Sequence, residues 1–272
     1  MIESKTHSII VDNVVLASEF LNRDVKVDFY YPEGIELYNE LELILVNDGQ
    51  DLVAMRFQDI FHQMNIAGAL KPIIVVGIHC STDRKNEYGT ANILDYKGRG
   101  AKAKFYTKFV MNELLPFIHK YTKIKSFLTK SFAGFSLGAL SALDIVWNNQ
   151  TEFHRAGIFS GSLWWRDKDQ EDDDFDENKN RIMQSQIRNG AYAPWLKFFF
   201  EVGANDEATD RNNNGVIDAI DDTVATINEL IRKGYSFRED VTYLELKDGN
   251  HDVQTWALAW PYFLMWGWGI TR

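Results

Sequence analysis

The amino-acid sequence predicts an α/β fold: a doubly wound, mostly parallel sheet with helices on both faces. Short apolar runs alternate with helix-like stretches along most of the chain, and several runs are almost continuously apolar. Strands that are apolar on both sides are typical of a parallel sheet that helices cover on each face. The chain has 272 residues with no internal repeat or linker, so one domain over 1–272 is the favoured organisation.

The strand and helix predictions follow this alternation from one end of the chain to the other. The opening segment, up to about residue 31, is predicted to form an antiparallel hairpin at the sheet edge. Strands are predicted at 25–32, 41–48, 73–80, 126–135, 155–161, 196–204 and 241–247. Helices are predicted between them at 52–69, 101–120, 137–149, 221–234 and 252–266. Such a succession indicates βαβ units.

Net charge, hydropathy and cysteine content indicate which binding partners and which cellular compartment to expect for this protein. A formal net charge of −10 argues against a nucleic-acid partner, because no basic surface is available to neutralise phosphates. No apolar run approaches the ~18 residues of a membrane span, so no membrane partner is expected. The start of the chain lacks the pattern of an export signal, and the single cysteine, Cys80, fits a reducing compartment. The cytoplasm is the expected location, although a leader trimmed from a precursor would leave no trace, and the sequence does not indicate an oligomeric state.

Residues 163–190 stand apart from the alternating pattern. Their central part, 169–177, carries seven acidic side chains in nine positions and is not a core element. A solvated loop explains this composition. The alternative is a cap-like segment over a site, formed by the helix-like stretch 178–189 and the Trp164–Trp165 pair that precedes it.

The motif Gly134-x-Ser136-x-Gly138 lies between a predicted strand and a predicted helix. In an α/β hydrolase the chain turns sharply at such a motif and holds a nucleophilic serine in a strained conformation. The motif alone is expected by chance in roughly one chain in ten of this length. Its position after the fifth strand and before an amphipathic helix is the one that the fold requires, so Ser136 is the predicted nucleophile.

A serine hydroxyl needs a base that removes its proton. Of six histidines, His251 lies in a glycine-containing loop between the last predicted strand and the last predicted helix. The chain order Ser, Asp, His in this fold also requires a late histidine. His251 is therefore the predicted base, whereas His79 ends a predicted strand near the site and could line it.

The predicted base needs a carboxylate that fixes its tautomer and stabilises the imidazolium. Asp206 is the first carboxylate after the strand that precedes the histidine loop, and Glu207 is the alternative if the turn differs. The oxyanion hole should combine the backbone N–H of Leu137 with that of Gln50, which lies in the turn after the third strand.

With these residues in place, the chain resembles the esterase family that includes esterase D and the enterobactin (enterochelin) esterases. The resemblance covers most of residues 25–268. It rests on six stretches in this order: NDGQDL, RKNEYG, ELLPFI, GFSLGALSAL, FSGSLWW and GNHDVQTW. It implies an α/β-hydrolase fold and ester hydrolysis through an acyl-enzyme, and it supports Ser136, His251 and Asp206 as the catalytic triad.

The resemblance also suggests Arg84, Glu87, Trp164 and Trp165 near the substrate, although a structural salt bridge or a core position is an equal alternative for each. The implied partner is a small-molecule carboxylic ester, with a siderophore lactone or an aryl or sugar ester as candidates. No organic cofactor is expected. The alternative functions are an acyltransferase on the same fold and a non-catalytic module that binds a carbohydrate or a partner.

A further pattern departs from this family: Asp210-x-Asn212-x-Asn214-Gly215-Val216-Ile217-Asp218-x-x-Asp221. It has the spacing of an EF-hand-type calcium loop, with side-chain oxygens, a glycine, a backbone carbonyl and two acids in the expected order. The predicted ligands are Asp210, Asn212, Asn214, Val216, Asp218 and Asp221. The final Asp resembles dockerin-type loops, and no helix precedes this one. A polar turn with accidental spacing is the alternative to a structural Ca²⁺.

Overall fold

A computed structural model describes residues 8–35 and 40–270. Within these ranges the centre is one eight-stranded sheet in the order β1-β2-β4-β3-β5-β6-β7-β8. The strands are β1 (Ile9–Ser18), β2 (Arg23–Pro32), β3 (Glu42–Asn47), β4 (Ile73–Ile78), β5 (Lys130–Phe135), β6 (Arg155–Phe159), β7 (Lys197–Asn205) and β8 (Val241–Asn250). β2 pairs antiparallel with β1 and β4, and all the other pairs are parallel. The predicted edge hairpin on a mostly parallel sheet is confirmed.

Helices connect the parallel strands and cover both faces of the sheet. They are α1 (Asp51–Ala54), α2 (Phe57–Ile66), α3 (Arg84–Glu87), α4 (Ala103–Phe109), α5 (Leu115–Thr122), α6 (Leu137–Asn148), α7 (Glu177–Asn180), α8 (Ile182–Asn189), α9 (Asp218–Lys233) and α10 (Val253–Trp268). The helix predicted at 52–69 is divided, because Arg56 has a φ of 54° and a right-handed helix does not continue through a left-handed residue. A π-helical turn, Val110–Leu114, joins α4 to α5.

The core consists of two apolar layers, one on each face of the sheet. Leu43 and Leu45 of β3 belong to one layer, and the intervening Ile44 and Val46 belong to the other. Because successive strand side chains point to opposite faces, a strand with apolar neighbours on both sides has an unbroken apolar sequence. Burial on both faces therefore accounts for the continuous apolar runs on which the fold prediction rests.

Helix α6 differs from the amphipathic helix that the sequence predicted, since every residue from Leu137 to Trp147 is buried. Its outer face is covered by other segments. The buried Asp144 accepts hydrogen bonds from the backbone N–H of Ala91 at 2.9 Å and from Nε2 of Gln186, on α8, at 3.0 Å. The helix that follows Ser136 therefore lies inside the molecule rather than on its surface.

In the segment 163–190, the acidic stretch 170–174 is exposed, as expected of a solvated loop. The helix predicted after it forms as α7 and α8, with a break at Arg181. Arg181 makes an ion pair with the buried Asp222 of α9, which anchors the segment to the domain. Among the described residues, no helix is long and apolar enough to cross a bilayer.

Candidate active site

Ser136 occupies the sharp turn between β5 and α6, with a φ of 55° and a ψ of −121°. Positive φ is uncommon for a residue with a side chain and marks a strained position. A Cβ atom at Gly134 would lie 2.5 Å from the carbonyl oxygen of Gly138, and one at Gly138 would lie 2.4 Å from Oδ2 of Asp48. Both glycines of the motif are therefore required by packing around the strained serine.

The ends of β7 and β8 bring His251 and Asp206 together. Asn205 lies opposite Asn250 in the β7–β8 ladder, after a shift in register that follows Gly203. Asp206 and His251 directly follow the last residues of these two strands, and His251 Nδ1 lies 3.6 Å from Asp206 Oδ2. The Asp206 side chain is 1% exposed and that of His251 is 39% exposed, so a buried carboxylate supports an accessible imidazole.

The carboxylates of Glu207 and Asp252, which adjoin Asp206 and His251 in the chain, have other contacts. Glu207 is exposed and accepts a hydrogen bond from the Thr209 hydroxyl at 2.6 Å. The side chain of Asp252 caps α10 by accepting a backbone N–H from its first turn at 2.8 Å. Of these three carboxylates, Asp206 is the one with an oxygen within 4 Å of a His251 ring nitrogen.

Ser136 and His251 make no hydrogen bond with each other in the described part of the chain. Ser136 Oγ instead lies 3.5 Å from Oγ of Ser162. The Trp256 ring meets the His251 ring edge-on at 5.4 Å and stacks on Phe135, the residue before the serine, at 5.0 Å. Ser162 thus adjoins Ser136 and Trp256 adjoins His251; Ser162 was not predicted as a site residue.

The two backbone N–H groups predicted to form the oxyanion hole belong to Leu137 and Gln50. Leu137 is the first residue of α6, where an N–H has no intrahelical acceptor, and Gln50 immediately precedes α1. Neither is a donor in the backbone hydrogen bonds of the described loops and caps. The Gln50 side chain is fixed by the N–H of Cys80, which donates to its Oε1 at 3.1 Å. Neither predicted donor is thus occupied by a backbone acceptor among these hydrogen bonds, as an oxyanion hole would require.

A family model described as "Putative esterase" matches residues 18–261, a span that contains the serine, the buried aspartate and the histidine. The chain belongs to this esterase family. The curated proteins include no sequence that matches it. The family assignment therefore rests on the match to the family model.

Solved structures share the fold of this esterase-family chain. Enterobactin esterase FES from Shigella flexneri, in the presence of enterobactin, has a TM-score of 0.73 and 20% identity over 95% of this chain and 58% of that chain. An IroE-like serine hydrolase from Shewanella oneidensis has a TM-score of 0.68 and 16% identity over 94% and 79%. Siderophore hydrolase EstB from Aspergillus nidulans has a TM-score of 0.65 and 14% identity over 94% of each chain. At these identities the likeness shows a common fold, and this chain spans less than two thirds of the enterobactin esterase chain.

In this chain, the two charged residues predicted near the substrate are held in ion pairs. Arg84 donates two hydrogen bonds of 2.7 Å to the carboxylate of Asp48. Glu87 accepts two hydrogen bonds, of 2.8 and 2.7 Å, from Arg23 of β2. These contacts favour the structural salt bridge that the sequence left as the alternative for both residues.

The two tryptophans predicted near the substrate differ in their exposure. Trp165 is fully buried, and its ring packs so closely that a Cβ at Gly89 would lie 2.8 Å from it. Trp164 is half-buried, with the Arg99 guanidinium 4.8 Å from its ring centroid. In this structure Trp165 is a core residue with no surface for a ligand, whereas Trp164 keeps an accessible edge.

The neighbouring histidine and thiol are not competitors for the catalytic roles. His79 Nε2 lies 2.6 Å from Oδ2 of Asp28, on β2, so its ring is already paired. Burial raises the pKa of the Cys80 thiol to about 12, and the charge of Asp48 acts in the same direction. The thiol is therefore protonated at neutral pH and is a poor nucleophile.

Glu201 is a buried acid that the sequence did not indicate as part of the site. It is fully buried on β7, five residues before Asp206, and Ser160 is the polar residue beside its carboxyl group. Burial raises the pKa of the Glu201 carboxyl to about 8, the charge of Asp206 raises it further, and Ser160 opposes both. Glu201 is thus a largely neutral carboxylic acid below that pH.

Replacing Glu201 by glutamine is expected to stabilise the protein more at pH 8 than at about pH 5. A carboxyl whose pKa is higher in the folded chain contributes stability below its unfolded-state value of 4.5 and loses it as the pH rises through about 8. Glutamine cannot ionise. The difference in melting temperature between Glu201→Gln and the unmodified protein should widen by several degrees across this window, at about 2–4 °C per kcal/mol. The exposed Glu207→Gln variant should show a constant difference, and a constant difference for Glu201→Gln would contradict the prediction.

In the calcium-type loop, 210–221, the first acid, Asp210, accepts a backbone N–H, whereas the last acid, Asp221, accepts side-chain amides. Asp210 Oδ2 accepts the N–H of Gly215 at 2.8 Å, and Gly215 has a φ of 86°. Asp221 Oδ2 accepts the side-chain amides of Asn212 and Asn214 at 2.8 and 2.9 Å. Four of the predicted ligands are therefore joined within one loop by hydrogen bonds.

The remaining predicted side-chain ligand points to an arginine instead. Asp218 Oδ1 accepts the N–H of Arg211 at 2.9 Å, and the guanidinium of Arg211 lies 3.3 Å from the same oxygen. Arg211 also pairs with Asp222 and Glu177. In the described ranges, no three acidic, histidine or cysteine side chains are grouped to hold a metal. An ion in this loop would therefore depend on two acids, two amides and the carbonyl of Val216.

Proposed function

We propose that this chain is a serine carboxylesterase that cleaves a small-molecule ester through an acyl-enzyme. The observation that carries the proposal is the strained Ser136, which follows β5 at the same edge of the parallel sheet where Asp206 follows β7 and His251 follows β8. This is the arrangement that acyl transfer requires. Membership of the esterase family supports the same reaction class.

In the proposed reaction, Ser136 Oγ attacks the ester carbonyl carbon while Nε2 of His251 accepts the hydroxyl proton. The carbonyl oxygen becomes an oxyanion, and the N–H groups of Leu137 and Gln50 stabilise it. His251 then gives the proton to the departing alcohol, and water repeats the sequence to release the acid. Asp206, on the Nδ1 side of the ring, orients the imidazole and stabilises its protonated form. The serine and histidine must come within hydrogen-bonding distance, a contact that often tightens only when substrate binds.

For the substrate class we propose a siderophore lactone or an aryl ester, with sugar esters as a further candidate. The half-buried Trp164, two residues from Ser162, offers an aromatic edge beside the site. Structural neighbours include an enterobactin esterase and a siderophore hydrolase, which supports testing those esters first.

The proposal is tested by labelling with a fluorophosphonate and by turnover of a panel of aryl, sugar and siderophore esters. We expect one covalent adduct per chain and release of free acid from at least one ester class. Addition of an acceptor alcohol distinguishes an acyltransferase, because the acyl group would then appear on the acceptor. Absence of both labelling and turnover would exclude a serine esterase and favour a binding module.

We also propose that the loop 210–221 binds a structural Ca²⁺ through Asp210 and Asp221. Oxygen-rich loops of this spacing suit calcium. A bound ion would replace the N–H groups that now donate hydrogen bonds to the carboxylates of Asp210 and Asp221. Since Asp210 is four residues after Asp206, the ion would fix the position of the triad acid without contacting the ester. It would not act on the substrate carbonyl.

Calcium at ~100 times its Kd is expected to add about 2.7 kcal/mol to the free energy of unfolding, because an ion that binds only the folded state stabilises it. A chelator-stripped sample should gain melting temperature as Ca²⁺ is added, and its kcat should rise by a modest factor. Asp210→Asn and Asp221→Asn should remove both responses, while Mg²⁺ should produce a weaker one. If Ca²⁺ changes neither quantity, the loop is a polar turn.

A further inference from the structure

Two turns are in contact here: the turn after β3, which carries Gln50, and the turn around Ser136, which is called the nucleophile turn below. Asn47 and Asp48, the residues before Gly49 and Gln50, connect the first turn to the second. The first of these, Asn47, is fully buried. Its Nδ2 donates to the carbonyl of Gly138, two residues after Ser136, at 2.7 Å. Its Oδ1 accepts the hydroxyl of Tyr106 at 2.5 Å. Asn47 therefore holds the part of the nucleophile turn that follows Ser136.

The second residue, Asp48, is connected through Arg84 to the part of the same turn that precedes Ser136. Both Nε and Nη2 of Arg84 donate to the Asp48 carboxylate, each at 2.7 Å. Nη2 of Arg84 also donates to the carbonyl of Phe135, the residue before Ser136, at 3.1 Å. One planar guanidinium thus joins the two turns, a geometry that arginine provides and lysine does not.

Asp48 is held in one place by its surroundings. Its φ is 58°, its side chain is 1% exposed, and its N–H donates to the Tyr88 hydroxyl at 3.2 Å. A Cβ at Gly138 would lie 2.4 Å from its carboxylate. A buried carboxylate with a bidentate partner is costly to leave unpaired, so the contact between Asp48 and Arg84 is expected to persist when substrate binds.

The ion pair also bears on the role of Arg84. Burial lowers the pKa of its guanidinium, but the hydrogen bonds and charge of Asp48 outweigh this effect, and the pKa is raised overall. Three of its hydrogen bonds already go to the two turns. A guanidinium engaged in this way has little capacity left to bind an ester group directly.

We propose that Arg84 and Asp48 are positioning residues. They hold the backbone N–H of Gln50 at a fixed distance and orientation from the backbone N–H of Leu137. The inference rests on the proposed esterase function and adds to it the device that sets the oxyanion hole. The two N–H donors lie on different loops, and the contacts of Arg84 and Asp48 fasten those loops to each other. A small displacement between the donors would weaken stabilisation of the oxyanion without removing either donor.

The test compares Arg84→Lys and Asp48→Asn with Arg188→Lys as a matched control. Arg188, on α8, makes contacts of the same kind. It donates two hydrogen bonds to Glu229 of α9, of 3.2 and 2.7 Å, and one to the carbonyl of Asn178. In Arg84→Lys and in Asp48→Asn, we expect kcat to fall about 10- to 100-fold, with KM within about twofold. The affinity for a boronate, which occupies the oxyanion hole, should fall by a similar factor. Arg188→Lys should leave kcat unchanged.

The double variant Arg84→Lys/Asp48→Asn should be no slower than the slower single variant, because both changes break the same contact. If Arg84→Lys does not fold, Asp48→Asn, which keeps the side-chain shape, carries the test with the same expected result. An unchanged kcat with a raised KM would overturn the inference and show that Arg84 binds the substrate directly. An unmodified protein that hydrolyses no ester and takes up no fluorophosphonate would overturn both this inference and the proposed function.

Discussion

Replacing Ser136 by alanine is expected to lower kcat by about 10⁶-fold, the loss typical of removing a triad nucleophile. In the proposed mechanism the Ser136 hydroxyl oxygen becomes acylated, and the Cys80 thiol is not expected to replace it, because its raised pKa keeps it protonated. Turnover of the best ester from the panel, measured under single-turnover conditions, gives the effect on the chemical step. The melting temperature of the variant checks that the fold is retained.

The neighbouring Ser162 provides the control for this prediction, since its hydroxyl lies 3.5 Å from that of Ser136. Ser162→Ala should retain fluorophosphonate labelling, whereas Ser136→Ala should lose it entirely. Peptide mapping of the labelled protein identifies the modified residue. An adduct on Ser162 or on any serine other than Ser136 would show that the nucleophile has been assigned wrongly.

His251→Ala should lower kcat by a similar factor, about 10⁶-fold, because nucleophile and base act as one unit. A double variant that lacks both Ser136 and His251 should therefore be little worse than either single one. Asp206→Asn should cost less, about 10³- to 10⁴-fold, since the imidazole remains but its tautomer is no longer fixed. Glu207→Gln is the matched control and should leave kcat near its original value.

Small imidazoles added to His251→Ala would distinguish a missing base from a damaged site. The His251 side chain is 39% exposed, so an added imidazole can enter the space that it leaves and accept the serine proton. Partial recovery of turnover that increases with imidazole concentration is the expected result. Full activity of His251→Ala without imidazole would remove this residue from the mechanism, and loss of activity in Glu207→Gln instead of Asp206→Asn would reassign the acid.

The sequence predicted the parts of this molecule that depend on local pattern. The apolar run of β3 is unbroken because both faces of the strand are buried, and that burial has a direct signature in the sequence. The strained turn at Ser136 has one as well, since only glycine fits at positions 134 and 138. The order of strands and helices and the place of the nucleophile turn follow from such signals.

Other features depend on contacts between distant residues, and no local pattern reports them. The partner of Arg84 lies 36 positions earlier in the chain, so its role as an ion-pair residue becomes visible only in the folded structure. The raised pKa of Glu201 arises from burial on the central part of β7, which a single acid in an apolar run does not reveal. In the calcium-type loop, the spacing is that of a metal site, yet Asp218 is drawn to Arg211.

The order of strands in the sheet has a consequence for how the protein would lose activity. Ser136 follows β5, which has three strands on one side and four on the other, whereas His251 follows β8, the last strand of the sheet. Local opening starts more easily at a sheet edge than in its middle, because an edge strand is bonded on one side only. Mild heat or denaturant would therefore displace His251, the proposed base, from Ser136 while most of the domain is still folded. We expect inactivation of this protein to be governed by the stability of one edge strand and not by the melting of the whole chain.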